Sequence, residues 1–583
     1  MSIDTRQFVP LLVLFVTVSM MKLLLLAPGL YHSTDFEVHR NWLAVTHSLP
    51  IKDWYVEDTS EWTLDYPPFF AYFQWFLSQM AKIVEPDLVK IVPFYEPSRA
   101  AVLFQRTTVI AVDVVLVLGV LTWCGATENA RAESARPAGE QKQRCLSDAP
   151  CLAVGALVLF NAGLLMVDHV HFQYNGFMLG LLLLSIGLLK QGRVLLGAAV
   201  FAALLMLKHL FLSLAPIYFV YLLRSYCCVS GRSELRAAGE EALAEVSEGA
   251  VVAASGTRER SSETVEKGTK QQGGSAGPAI SFSLARFTAL GFVVLLVFGL
   301  AIGPVCLSGG GSLEGCKTQL ARMGSRLFPF GRGLVHAYWA PNAWALYLFG
   351  DRALLTIMKK TGYVAASQGV ASTTGGLVRS EVMGLLPGVP ASLCLLLSLL
   401  ACVPALLRAW RRPSPSGFAW GVVHCSLSAF LLGFHVHEKA LLVPAVISSL
   451  VALESRDGAR MHLRLNFLAT FAVLPLLPGA DLAVLKVLLM ASYTVLATFL
   501  LSEKFPCDPQ RAFSATLTLW DRAYVVGAAV VFVYGEIVHP WAFGGGGVDG
   551  EGRLPFLPLM LQSVYGAVGV VICWAMSFHA PSM

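Results

Sequence analysis

Residues 151–190 read CLAVGALVLFNAGLLMVDHVHFQYNGFMLGLLLLSIGLLK. Two apolar runs, 151–167 and 175–190, flank a short polar stretch that holds Asp168, His169, His171, Gln173, Tyr174 and Asn175. Each run is close to the length that crosses a hydrocarbon core. The turn between them needs only a few small residues, yet it carries imidazoles, a carboxylate and carboxamides. Such groups at the edge of a membrane cost several kcal/mol unless they are satisfied, which makes function their default reading.

The same pattern repeats outward from this segment. Apolar stretches recur at 8–28, 105–124, 194–207, 210–225, 285–306, 385–408, 417–434, 440–453, 464–477, 482–501, 519–537 and 556–577. With the first two they predict an all-α polytopic membrane protein of about 14 transmembrane helices. Composition agrees: 55% of the 583 residues are hydrophobic, 14% are charged and mean hydropathy is +0.63, where soluble domains run nearer 25% charged. The first run lacks a convincing cleavage site and is read as an uncleaved helix. A net charge of +5 with scattered basic residues argues against nucleic acid as a partner.

Basic residues in short loops set the expected orientation. Arg131, Arg136, Lys142 and Arg144 share one side with Lys190 and Arg193, Arg408, Arg411 and Arg412, Arg456, Arg460 and Arg464, and Lys504 and Arg511. That side reads as cytosolic, together with both termini. Two long loops, 28–104 and 307–384, fall on the opposite face with the polar turns. The first contains an amphipathic pattern, Phe69, Phe73, Phe76 and Met80, expected as an interfacial helix. Trp42, Trp54, Trp62, Trp339 and Trp344 are expected as interfacial anchors rather than sugar platforms.

The chain divides into an N-terminal membrane module (1–228), an insert (229–284) and a C-terminal membrane module (285–583). The insert is rich in Ser, Gly, Glu and Lys and lacks aromatics until its last residues, so it is expected to be disordered and cytosolic. Among 12 cysteines there is no C-x-x-C pair; Cys306 and Cys316 flank a Gly-rich stretch and form a candidate disulfide in an oxidising lumen. No N-x-S/T sequon occurs.

Four polar clusters share the non-cytosolic face. They are Asp35, Glu37, His39 and Arg40, followed by Asp65; the 168–175 stretch; Arg322, Arg326, Arg332 and His336; and His435, His437, Glu438 and Lys439 in a tight turn. Bland readings exist for several. Asp35 suits a helix cap, Glu37 and Arg40 suit an i,i+3 pair, and Asp113 inside an apolar run suits pairing with a neighbouring helix. By residue type Asp168, His169 and His171, or His435, His437 and Glu438, also suit a metal.

Four stretches carry a family resemblance: STDFEVHRNWLAVTHSLPIKDWYVEDTSEWTLDYPPFFAYF (33–73), HFQYNGFMLGLLLLS (171–185), RLFPFGRGLVHAYWAPNAWALY (326–347) and FHVHEKALL (434–442). They resemble the eukaryotic glucosyltransferases that use dolichyl-phosphate-glucose in the lumen of the endoplasmic reticulum. The forms TDFEVHRNW and RGLVHAYWAPNAWALY are nearer to the member that adds the second glucose than to the sister that adds the first.

The resemblance implies a GT-C fold and an inverting transfer of glucose from dolichyl phosphate to a dolichyl-pyrophosphate-linked oligosaccharide through an α-1,3 linkage. It implies Asp35 as the catalytic base. Glu37 and Asp65 are then expected to shape the acceptor site or its loop, with Arg40 in the substrate-binding set. The donor's candidates are Arg326, Arg332 and Lys439, with His171 and His437 as hydrogen-bond donors, and Gln173, Tyr174 and Glu438 complete the substrate-binding set. No cofactor or metal is expected, because phosphate is already a good leaving group and one base with a cationic clamp suffices for a single displacement. A lipid-linked sugar transporter is the rival from another class; the absence of an internal repeat weighs against it.

Overall fold

The computed structural model describes residues 5–24, 32–125, 149–230, 280–328, 333–336, 339–363, 383–505, 517–544 and 554–579. Each predicted apolar run is helical. The first is α1 (Thr5–Leu24), and a shorter helix follows, α2 (Thr34–Ser48), then α3 (Pro68–Val84). The N-terminal module continues through α4 (Arg99–Cys124), α5 (Pro150–Phe172), α6 (Asn175–Lys190), α7 (Val194–Leu205) and α8 (His209–Cys227). After the insert come α9 (Leu284–Ser308), α10 (Leu313–Leu327), α11 (Ala343–Lys360), α12 (Ala391–Arg411) and α13 (Pro415–Leu432). Two short helices, Leu442–Ile447 and Ser449–Ala452, lead into α14 (Arg456–Val473), α15 (Ala483–Lys504), α16 (Leu519–Phe543) and α17 (Leu557–Ser577).

Among the described residues nine helices are long and apolar enough to span a membrane, and three more apolar helices are shorter. The predicted runs at 440–453 and 464–477 are the exceptions. They are helical, but the first is broken into two pieces. The second begins with the polar stretch Arg456–Arg464, and α14 is buried along most of its length. These helices are wrapped by others, so their sequence need not match lipid.

Close helix contact explains the glycines of α6. A Cβ on Gly180 would stand 2.7 Å from the backbone of Val115 and Leu116, and one on Gly187 would stand 2.7 Å from the backbone nitrogen of Trp123. Small residues at such points let two membrane helices approach backbone to backbone. The result is a dense α4–α6 pair behind the polar end of α5.

The amphipathic helix expected in the first long loop is present as α3, with Phe70, Gln74, Leu77 and Ala81 buried on its inward face. Phe76 and Met80 are exposed, as are Trp75 and Ile83. The aromatic run is apolar on both flanks, and the polar Gln74 faces inward to meet His39 (3.4 Å). The tryptophans correct another expectation. Trp42, Trp54, Trp339 and Trp344 are buried, with indole N–H groups of the first two and the last donating to loop carbonyls; they form loop cores instead of anchors in lipid.

A two-stranded antiparallel clasp, Cys228–Ser230 against Ile280–Phe282, closes the base of the insert. The insert's interior, 231–279, lies outside the described residues. Cys306 and Cys316 form a disulfide that ties the end of α9 to the start of α10. Asp113 takes the pairing role, since its Oδ2 meets Lys22 Nζ of α1 at 2.6 Å and His169 Nε2 of α5 at 2.9 Å.

Candidate active site

Asp35 lies in the first turn of α2, yet it does not cap that helix. Ser33 is the N-cap residue, and its hydroxyl donates to the carbonyl of His171, which ties the start of α2 to the end of α5. The Asp35 carboxylate instead gathers three distant donors on Oδ2. His171 Nε2 stands at 3.0 Å, Gln173 Nε2 at 2.6 Å and Lys439 Nζ at 2.7 Å. Among the described residues no hydrogen bond reaches Oδ1, and the side chain is 21% exposed. One oxygen is thus held and the other is open to a ligand.

Local backbone geometry makes this convergence possible. The end of α5 widens into a π-turn, Leu165–Phe172, and Phe172 adopts φ +89°. A bulky residue in that region is a strained position of the kind that clusters at functional sites. The reversal it produces points His171 and Gln173 at the same carboxylate. His171 Nδ1 meets the Leu476 carbonyl (3.1 Å), so the ring faces an acceptor on each nitrogen.

Burial opposes the Asp35 charge, but the Lys439 ammonium and His171 outweigh it and hold the carboxyl well below the usual carboxylate range. His437 behaves oppositely: burial, His336 and Lys439 push it well below the ordinary imidazole range, so it is neutral. Burial likewise takes His39 down to about 3. His39 sits among the rings of Trp42, Phe70, Phe172 and Tyr174 at 4.9–5.5 Å. That aromatic packing fixes α2 against the π-turn.

The other sequence-derived residues divide clearly. Glu37 and Arg40 pair with each other, and Arg40 also donates to the Lys90 carbonyl (2.7 Å) and lies over Tyr95 (5.3 Å); they brace the first long loop. The Tyr174 hydroxyl meets Thr108 (2.7 Å), with the ring inside the aromatic cluster. Arg326 donates to the carbonyls of Tyr55 and Val56 (both 3.3 Å), pinning α10 to the first loop. Asp65 acts electrostatically on Tyr66 and Lys208. Arg332 lies outside the described residues.

Glu438 is fully buried beside His336, 3.4 Å from its Nδ1, and the His336 and His437 rings lie with centroids 3.8 Å apart, tilted by 31°. Ligand atoms of His336, His437 and Glu438 all lie within 4.8 Å of one another, close enough to hold a cation. Their conjunction is structural as well: Val335 and Val436 form a parallel bridge, and His435 takes φ +52° to donate from its backbone to Leu334.

Sequence reasoning missed Lys208, in the turn between α7 and α8. Its Nζ donates to Asn175 Oδ1 (3.2 Å) and lies 5.2 Å from the Tyr66 ring centroid. The only signal was a lone lysine between two apolar runs.

A protein-family model described as the ALG6, ALG8 glycosyltransferase family matches residues 18–577, which include the four stretches quoted above. The chain belongs to this family. Family members among curated proteins include a mouse dolichyl pyrophosphate Glc1Man9GlcNAc2 alpha-1,3-glucosyltransferase, 39% identical over 96% of this chain and 93% of the relative. An Arabidopsis thaliana protein of the same name is 36% identical over 97% of this chain and 96% of its own length. A Drosophila melanogaster protein named as a probable enzyme of that kind is 39% identical over 94% and 90%. As an ALG6, ALG8 family glycosyltransferase with multiple membrane helices, the chain is a polytopic membrane enzyme, and the GT-C fold agrees with its all-helical frame.

Proposed function

We propose that this chain transfers glucose from dolichyl-phosphate-glucose to dolichyl-pyrophosphate-linked Glc1Man9GlcNAc2, forming an α-1,3 linkage with inversion during assembly of the N-glycan precursor. The observation that carries the chemistry is the single carboxylate of Asp35, bound on one oxygen by Lys439, His171 and Gln173 and open on the other. The acceptor identity rests on the relatives' names.

In this reading Asp35 Oδ1 takes the proton from the 3-hydroxyl of the acceptor's terminal glucose. That oxygen attacks C1 of the donor sugar from the face opposite the phosphate. The C1–O bond breaks, and its electron pair leaves with dolichyl phosphate. The Lys439 ammonium beside Asp35 supplies positive charge that suits the phosphate dianion that develops. Neutral His437 adds a hydrogen-bond donor beside it. The reaction needs no metal ion, although His336, His437 and Glu438 are placed to hold one.

The cationic loops support cytosolic termini, with the site facing the lumen of the endoplasmic reticulum. The Cys306–Cys316 disulfide fits an oxidising compartment on the site's side of the membrane.

Purified protein supplied with dolichyl-phosphate-glucose is expected to glucosylate the acceptor that already carries one glucose and to ignore Man9GlcNAc2-PP-dolichol, with EDTA having no effect. Transfer to the unglucosylated acceptor would assign the sister activity. Loss of transfer in EDTA, restored by a divalent cation, would overturn the metal-free mechanism. Donor binding without transfer to either acceptor would favour a carrier.

A further inference from the structure

Side-chain amides are ambiguous: turned over, each presents an acceptor where a donor stood. Gln173 therefore stabilises the Asp35 carboxylate only while its nitrogen, and not its oxygen, faces Oδ2. A chain of hydrogen bonds determines which. Lys208 has donors and no acceptor, so Asn175 meets it with Oδ1 (3.2 Å). The Nδ2 group of Asn175 then faces Asp168 Oδ1 (2.9 Å) and Gln173 Oε1 (2.8 Å). With Oε1 engaged, Gln173 Nε2 is directed at Asp35 Oδ2 (2.6 Å).

The ends of this chain are well held. Asp168 also accepts from the backbone N–H of Gly176 (2.5 Å), so the asparagine is oriented from two sides. The backbone N–H of Lys208 donates to Leu204 (3.0 Å), and Met206, two residues before it, accepts from Phe69 of α3 (3.0 Å). The α7–α8 turn is thereby fixed to the first long loop that carries Asp35.

We propose that Lys208 is a positioning residue for Asp35, acting through Asn175 and Gln173 to keep the glutamine's donor on the base. The proposal rests on the reading of Asp35 as the base and adds a residue remote from the reacting atoms. Its electrostatic surroundings fit. Lys208 faces Asp35 of α2, Asp65 and Tyr66 of the first loop, Asp168 of the π-turn, Lys439 of the last polar turn and the adjacent His209. Burial and Lys439 draw its ammonium down to about 8, against the three carboxylates. Without Lys208 the asparagine loses one of its two orienting partners, and a reversed Gln173 would set oxygen against carboxylate. The Asp35 carboxyl would then titrate higher.

The test is a double-mutant cycle on the purified full chain, with dolichyl-phosphate-glucose and the monoglucosylated acceptor. Lys208→Met is expected to lower kcat by about ten- to a hundredfold with little change in either KM. It should move the acid limb of kcat/KM to higher pH, because a carboxyl less stabilised as its anion protonates sooner as pH falls. Lys208→Arg, which keeps charge and donors, should recover most of the rate and the original limb.

In a Gln173→Leu background, Lys208→Met should cost nothing further. Losses that multiply, or a raised KM with kcat intact, would show that Lys208 touches substrate and would overturn the relay. Should Lys208→Met fail to fold, Asn175→Ala takes its place in the same cycle with the same expectation. A wild type that transfers no glucose would sink the functional reading; an active wild type with multiplicative losses sinks the relay alone.

Discussion

Asp35→Asn is expected to reduce glucose transfer by about 10³-fold while the donor still binds. The substitution preserves the shape of the side chain, and an amide oxygen still accepts hydrogen bonds from Lys439, His171 and Gln173. What disappears is the oxygen that takes the acceptor's proton, and general base catalysis typically contributes about 10²–10⁴-fold. Removing the negative charge also frees Lys439 from its strongest competitor for phosphate. Donor affinity should therefore hold or improve as kcat collapses, the signature of an interaction made in the transition state. The measurement is single-turnover transfer beside equilibrium donor binding in the same detergent. A mutant within about tenfold of wild type would remove Asp35 from the role of base.

The second large effect concerns stability. Asp113, Lys22 and His169 form a polar group inside the membrane domain, with Lys22 and Asp113 only 2% and 1% exposed. Removing one member of a buried ion pair costs about 3–5 kcal/mol, because the remaining charge has no water to turn to. Asp113→Leu should accordingly lower the thermal unfolding midpoint in detergent sharply and reduce yield. Replacing both charges, Lys22→Met with Asp113→Leu, should recover much of the loss, since a packed apolar pair of similar volume is often as stable as the ions it replaces. Equal midpoints for wild type and Asp113→Leu would show that the pair contributes nothing.

Much of this architecture is written locally. Apolar runs of spanning length become helices wherever lipid or protein excludes water, so every run in the sequence has its helix. The polar ends of those runs, 35–40, 168–175 and 435–439, announce themselves because they are costly at such depth. Their convergence is less legible. Asp35 meets partners 136, 138 and 404 residues away, and no periodicity encodes that meeting; the resemblance pointed to Asp35 as the base but not to these partners.

Where charge alone guided the reading, partners were misjudged or missed. Arg326 looked like a phosphate clamp, but two carbonyls of the first loop occupy its guanidinium. Glu37 and Arg40 satisfy each other at i,i+3, as the bland reading allowed. Lys208 escaped notice because a single lysine in a turn between apolar helices ordinarily marks the membrane surface. Its importance resides in three amide and carboxylate partners that only the fold assembles.

The central claim is a single displacement in which one carboxylate activates the acceptor hydroxyl. The most direct measurement is the anomeric configuration of the glucose after transfer from β-linked dolichyl-phosphate-[1-¹³C]glucose, read by NMR from the coupling between H1 and H2. An α-linked product, with its small coupling, is the result expected from inversion at C1 with Asp35 as the base. A β-linked product would mean retention, which takes two successive displacements and a second nucleophile, and would contradict the account.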